Sequence, residues 1–266
     1  MTLQFYKPAS IKEATALKET HGGAITWFAG GAFLNHIDHK GHFKQFICLE
    51  QLQLDTIDKV DHQLEIGALA NLQDILDNVL TPDPLKQALK DAAVRTIRNL
   101  ATIGGDIAMG GTFTKLTPCL IALKTSIILG NNQEILLEDY LTRNREDLIV
   151  KFKIPLELRI VQVLKISHQA NSEPVCTIAV GLDKTAEGNI SNLIIAVGSV
   201  EENCRRLSDL ESAIQVKLIT DHEAIQKAVY DFIRPKSDLL GSAVYKTYIT
   251  AQAVADCMMS CLKGEE

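Results

Sequence analysis

Charge of one sign is concentrated nowhere in this chain, and that absence removes several functions at once. No Lys/Arg run exceeds two residues, and the 266-residue sequence has a formal net charge of -6 with a pI near 5.7. A nucleic-acid partner would need a basic face, which this composition does not supply. Long apolar runs are also missing: "LIALKTSIILG" is interrupted by Lys124 and is far too short to cross a bilayer. "MTLQFYKPAS" has neither the basic region nor the apolar stretch of a signal peptide, so a cytoplasmic protein is expected. The six cysteines contain no C-x-x-C pair, so zinc and iron–sulfur sites lack their usual ligand spacing. Cys257 and Cys261, four apart, read as free thiols on one helix face in a reducing compartment. "NHIDHKGHF" brings His36, His39 and His42 near Asp38, but Gly41 interrupts any helix that would align the imidazoles. It reads as a solvated polar loop, and no metal site is expected. No nucleophile or acid–base dyad stands out as catalytic.

What is present is a mixed order of helices and strands. Ser10 and Glu13 form a capping box that opens a helix ending at Gly22. "AITWF", "QFICLE" and "HQLEIGA" read as strands, and "NLQDILDNVL" and "PLKQALKDAAVRTIRN" as helices, the second with Pro84 in its first turn. "SIILGNNQEILL" is a hairpin turning at Gly130-Asn131-Asn132. Beyond "LIVKFKIP", the runs "RIVQVLKIS", "VCTIAVGLD" and "NLIIAVGSV" predict a three-stranded antiparallel sheet. Two helices follow, "DHEAIQKAVYDFI" and a long one from about Ser242 to Leu262. The class is α+β, with a boundary near residue 158.

Eight of the sixteen glycines sit in pairs within the first 111 residues. Two of these pairs share a context: "TWFAGGAFLNH" and "LATIGGDIAMGG" each run from apolar residues into Gly-Gly and back to apolar residues. Glycine allows positive φ and close approach to the main chain, and exposed N–H groups there suit phosphate oxygens. A tight strand-to-loop turn explains a single pair as well. Two matching turns favour a shared phosphate-bearing ligand. Neither stretch fits G-x-G-x-x-G or a P-loop.

"WFAGGAFLN" resembles the A-G-G-T-D-L flavin loop of the FAD-binding (medium) subunit of the molybdenum hydroxylases, a family that includes xanthine dehydrogenase and carbon monoxide dehydrogenase. "IRNLATIGGDIA" is similar to its R-N-x-A-T-x-G-G-N-I signature, "LEIGALANLQDI" to I-G-A-x-T-x-x-x-D-I, and "DLLGSAVYKTYI" to D-x-R-G-S-A-x-Y-R. The four stretches occur in order and cover most of the chain. The resemblance implies a two-part FAD-binding domain of the vanillyl-alcohol-oxidase type over residues 1–158. A smaller α+β domain of the carbon monoxide dehydrogenase flavoprotein type, with C-terminal helices, would occupy 159–266. It also implies that Trp27, Phe28, Ala29, Gly30, Gly31, Ala32, Phe33 and Leu34 wrap the pyrophosphate. Thr102, Ile103, Gly104, Gly105 and Asp106 would close on it from the other side. Ile149 and Lys165 would flank the isoalloxazine, where an ammonium group favours the anionic reduced ring.

Departures from the family pattern are specific. Asp106 stands in place of Asn, removing an amide donor and adding a negative charge near phosphate. Lys115 falls where the family has a cofactor-contacting Asp, Gly111 where Ser is common, Ala32-Phe33 where it has Thr-Asp, and Leu240 where it has Arg. The resemblance implies a flavoprotein subunit that takes electrons from iron–sulfur and molybdopterin partners through FAD to NAD+ or another acceptor. A flavin-free structural subunit and a free-standing flavin oxidase are the alternatives.

Overall fold

The computed structural model describes residues 3–35, 43–110, 115–143, 146–157, 159–170, 172–185, 189–217, 219 and 221–263. The histidine cluster 36–42 and Gly111 lie outside them. The first layer contains β1 (Gln4–Tyr6), α1 (Ile11–His21), β2 (Ile25–Phe28) and β3 (Gln45–Cys48), with β3 central and parallel to both neighbours. Helix α1 starts as expected: Ser10 Oγ accepts the Glu13 N–H at 3.2 Å. The Glu13 carboxylate reaches one residue further back than in a standard capping box, to the Ala9 N–H at 2.9 Å. Ala14, Ile25, Ile47 and Leu49 pack together with Leu148 from a distant segment.

The second layer is an antiparallel sheet of five strands in the order β4-β5-β8-β6-β7. Its members are β4 (Ile57–Val60), β5 (Gln63–Gly67), β6 (Ser126–Leu129), β7 (Glu134–Leu136) and β8 (Ile149–Pro155). The latest strand in sequence is central. Phe152 and Ile154 of β8 are fully buried, while Lys151 and Lys153 alternate with them and pair with Glu65 and Glu134 at 2.6 and 2.8 Å. Between β5 and β6 come α2 (Leu72–Asp77), α3 (Asp83–Ala92), α4 (Arg95–Arg98), α5 (Ile103–Met109) and α6 (Thr117–Ala122); α7 (Leu137–Leu141) follows β7.

One expected helix is two. The backbone breaks at Ala93, extended at φ -159° and ψ 160°, and Val94, also extended, precedes α4. The Arg98 guanidinium bonds the Ala93 carbonyl and Gln73 Oε1, so a tertiary contact holds the break open. "IGGDIAM" is also helical rather than a turn, capped by Thr102 Oγ1 on the Gly105 N–H at 3.1 Å.

The third layer has four strands, not three: β9 (Ile160–Ser167), β10 (Pro174–Lys184), β11 (Ile190–Gly198) and the two-residue β12 (Arg205–Arg206). Two adjacent arginines carry no apolar alternation, which is why β12 leaves no pattern in the sequence. Cys176, Ile178, Val180 and Leu182 of β10 pack on α8 (Ser208–Lys217), α9 (His222–Phe232) and α10 (Ala243–Lys263). From the opposite face, Ala179, Ile194 and Ala196 join the core of the five-stranded sheet. All six cysteines are buried and none is in a disulfide, and burial raises the Cys176 thiol to about 12. Among the described residues, no helix is long and apolar enough to cross a membrane.

Lys246 in α10 is 1% exposed, and its ammonium pairs with the Asp238 carboxylate. Removing one partner of such a pair strands a buried charge, whereas removing the charge itself does not. Asp238→Asn is therefore expected to destabilise the protein by about 2 kcal/mol, discounted for the exposure of Asp238. Lys246→Met should cost less. Urea midpoints at neutral pH compare the two, and equal or reversed losses would show that the pair is not what holds the start of α10.

Candidate functional site

The paired glycines are best understood from what a β-carbon would meet at each. At Gly30 it would fall on the Leu100 carbonyl oxygen and lie 3.5 Å from Thr102 Cγ2, so the two glycine stretches touch each other here. Gly31 has φ +70°, and its β-carbon would come within 2.7 Å of Asn35 Nδ2 and 2.9 Å of Phe28 Cζ. At Gly104 it would meet the Ala68 oxygen at 2.7 Å. At Gly30 and Gly104, glycine is thus required first for backbone-to-backbone packing.

The N–H groups divide differently from the expected shared nest. Gly104 donates to Ala68 O at 2.9 Å and Gly105 to Thr102 Oγ1 at 3.1 Å, so both are satisfied within the chain. The N–H groups of Gly30, Gly31 and Ala32 meet no protein acceptor among the described residues. Donors for an anion come from the first loop, and the second supplies a close-fitting wall.

Both stretches face one cavity of about 670 Å³. Trp27, Ala29, Gly30, Gly31, Ala32, Phe33, Leu34, Thr102, Gly104, Gly105, Asp106, Lys115, Ile149 and Lys165 all line it. Two expected residues do not. Phe28 points to the other side of β2 from Trp27, as alternation in a strand requires, and makes edge contacts with Phe5 and Phe46 at 6.0 and 5.7 Å. Ile103 is fully buried in the core.

The wall also includes residues that the sequence did not single out: Lys18, Lys90, Asp91, Val94, Ile97, Glu146, Asp147 and Glu173. Lys18 looks like an ordinary last-turn lysine, and its Nζ does bond the Gly22 and Ile25 carbonyls at 3.2 and 3.0 Å. Glu146 comes from a loop far away in sequence, and its carbonyl accepts the Trp27 indole N–H at 2.8 Å. Val94 and Ile97 reach the cavity only because the backbone turns at Ala93.

Two ammonium groups approach the cavity near one another. Lys165 Nζ donates to the Asp91 and Ala170 carbonyls at 3.1 and 2.8 Å; burial, and then the charge of Lys115, lower its pKa. Lys115 lies 3.8 Å from the Glu173 carboxylate. Asp106 contrasts with both. Its Oδ2 is out of contact with solvent and has no hydrogen-bond partner, and burial raises the carboxyl to about 6 although Lys115 opposes the shift. The volume falls within the usual range for ligand pockets, and open N–H donors with nearby cations suit a phosphate-bearing cofactor. Glycines where any side chain would collide leave the walls close to the space such a group would fill.

Gly30→Ala should separate the two loops and destabilise the protein by about 1–3 kcal/mol, the usual range for overpacking. Gly23→Ala is the control, since its β-carbon would meet nothing within 4 Å. Thermal unfolding of the two variants tests this, and a harmless Gly30→Ala would refute the loop-to-loop contact.

Residues 1–157 match the family described as the FAD binding domain in molybdopterin dehydrogenase. The uncharacterized protein YgfM of Escherichia coli (strain K12) is 34% identical over 267 residues, covering 100% of this chain and 99% of YgfM. The carbon monoxide dehydrogenase medium chain of Hydrogenophaga pseudoflava is 25% identical over 272 residues, 94% of each chain. A solved structure of carbon monoxide dehydrogenase from that organism, lacking the Mo-pyranopterin moiety, shares the fold over 99% of this chain and 98% of its own, with a TM-score of 0.88 at 23% identity. With its two glycine stretches meeting at one large cavity, the chain belongs to the FAD-binding domain family of the molybdopterin dehydrogenases and is an FAD-binding component of an oxidoreductase.

Proposed function

We propose that this protein is the FAD-carrying subunit of a molybdenum hydroxylase-like complex. Electrons from a molybdopterin subunit would reach it through an iron–sulfur subunit and leave to NAD+ or another acceptor. The observation that carries the reading is the cavity itself, because both glycine stretches converge on it together with Lys165 of the flavin signature and with Lys115, which departs from that signature. The flavin, when bound, supplies electron exchange between carriers; the chain's own task is positioning and electrostatics. In this reading the Gly30, Gly31 and Ala32 N–H groups hold phosphate oxygens, and Trp27, fixed through its indole N–H, forms one wall. Lys165 is held by two backbone carbonyls and offers a fixed positive charge. We assign residues 1–158 to a vanillyl-alcohol-oxidase-type FAD domain and 159–266 to the smaller domain, and place the complex in the cytoplasm.

Purification from the native host is the direct test. The expected result is a yellow protein with near-stoichiometric flavin bands that copurifies with iron–sulfur and molybdopterin subunits. A flavinated chain that travels alone and oxidises a substrate by itself would favour the free-standing oxidase.

Lys165→Met deletes the charge and keeps most of the stem. It should leave FAD bound and lower the flavin midpoint potential by tens of millivolts, given that ~30 mV corresponds to about 1.4 kcal/mol for a two-electron couple. An unchanged potential in the fully flavinated variant would remove Lys165 from the flavin's surroundings.

A further inference from the structure

Among the described residues of the site, Asp106 is a group whose chemistry does not match its surroundings. It lies on the cavity wall in the first turn of α5, yet Oδ2 is sealed from solvent and finds no donor among the described residues. The neighbouring N–H groups that a carboxylate would ordinarily accept are occupied, Gly105 by Thr102 Oγ1 and Gly104 by Ala68 O. A buried polar oxygen without a partner is costly, and an ionised one is costlier still.

We propose that Asp106 meets FAD as a neutral carboxylic acid: Oδ2 stays sealed as the carbonyl oxygen, and Oδ1, the oxygen not sealed from the cavity, carries the proton and donates a hydrogen bond to an acceptor oxygen of the cofactor. The proposal rests on FAD occupying this cavity and adds the protonation state of one of its walls. A carboxylic acid presents one donor and one acceptor on a planar group, much as an asparagine amide does. The proton thereby restores a donor at the position where the family signature has Asn. An ionised Asp106 would present only acceptors to a ligand that itself carries phosphate charge.

The charged groups around the cavity are consistent with this. Lys115 is the cation that acts on the Asp106 carboxyl, and it favours ionisation, but it shares its charge with Glu173 at 3.8 Å. Lys165 is bonded to two carbonyls, one of them that of Asp91, and Lys90 and Asp91 of α3 also line the cavity. Burial outweighs Lys115 and leaves the free protein's carboxyl titrating near 6.

Below about 6 the acid form predominates and is competent to donate. Above that pH the competent fraction shrinks by about tenfold for each further unit, and the apparent affinity falls with it.

The test is the FAD dissociation constant, measured by flavin fluorescence on the full-length apoprotein from pH 6 to pH 8, for the wild type and Asp106→Asn. The wild-type constant is expected to rise at least about tenfold across that range. D106N should be nearly flat and should bind more tightly than the wild type at pH 8. Effects of the lysines, Asp91 and Glu173 are common to both proteins and cancel in the comparison. Parallel pH profiles, or a D106N variant that binds more weakly throughout, would overturn the proposal. A second readout is independent of affinity: the FAD complex at pH 7 should show the infrared carbonyl band of a protonated carboxyl, absent in D106N. Its absence from the wild type would also overturn the proposal. If neither protein binds FAD at any pH, the cofactor assignment falls, and this inference falls with it.

Discussion

The site depends on one contact without side chains: the main chain at Gly30 packed against the main chain at Leu100. This approach joins the end of a strand in the first layer to the segment leading into α5 in the second. Around it the backbone is stitched further, with Leu72 N–H to Ala101 O, Ile103 N–H to Ala70 O and Gly104 N–H to Ala68 O, all between 2.9 and 3.1 Å. The cavity is the space left between two surfaces held together in this way. A β-carbon at Gly30 or Gly104 would push those surfaces apart before it ever met a ligand.

The division of labour between the loops follows from the same bonding. Because α5 uses its first N–H groups to dock on the Ala68–Ala70 segment, it cannot also offer them to an anion. The open donors therefore come from the Gly30 loop, and the charge comes from lysines on other elements. Their convergence requires all three layers: Lys115 precedes α6, Lys165 lies on β9 and Lys18 lies in the last turn of α1. The third layer contributes one edge of the cavity and, through Ala179 and Ala196, part of the core beneath it.

Much of the fold was legible wherever the cause was local. The Ser10 cap and the hairpin at Gly130–Asn132 each follow from neighbouring residues, and each is present. What could not be read had distant causes. Gly-Gly has poor helix propensity, so "TIGGDIAM" resembles a turn, but tertiary bonds to Ala68 and Ala70 make it helical. The break at Ala93 exists because Arg98 finds Gln73 twenty-five residues earlier. β12 is a strand only because Val197 and Ala196 lie alongside it.

The sequence by itself determined which residues could form the site: glycines where the backbone must pass closely, a β-strand that carries Trp27 and Phe28, and the family signature that links them. Only the tertiary structure decided what each does. It assigned Trp27 to the cavity and Phe28 to an aromatic cluster, and it occupied the N–H groups of Gly104 and Gly105. It also brought Lys115 near Asp106 while sealing the latter's oxygen from water. Hydrogen-bond satisfaction and desolvation depend on what the rest of the chain places around a group, and no local stretch of sequence contains that information.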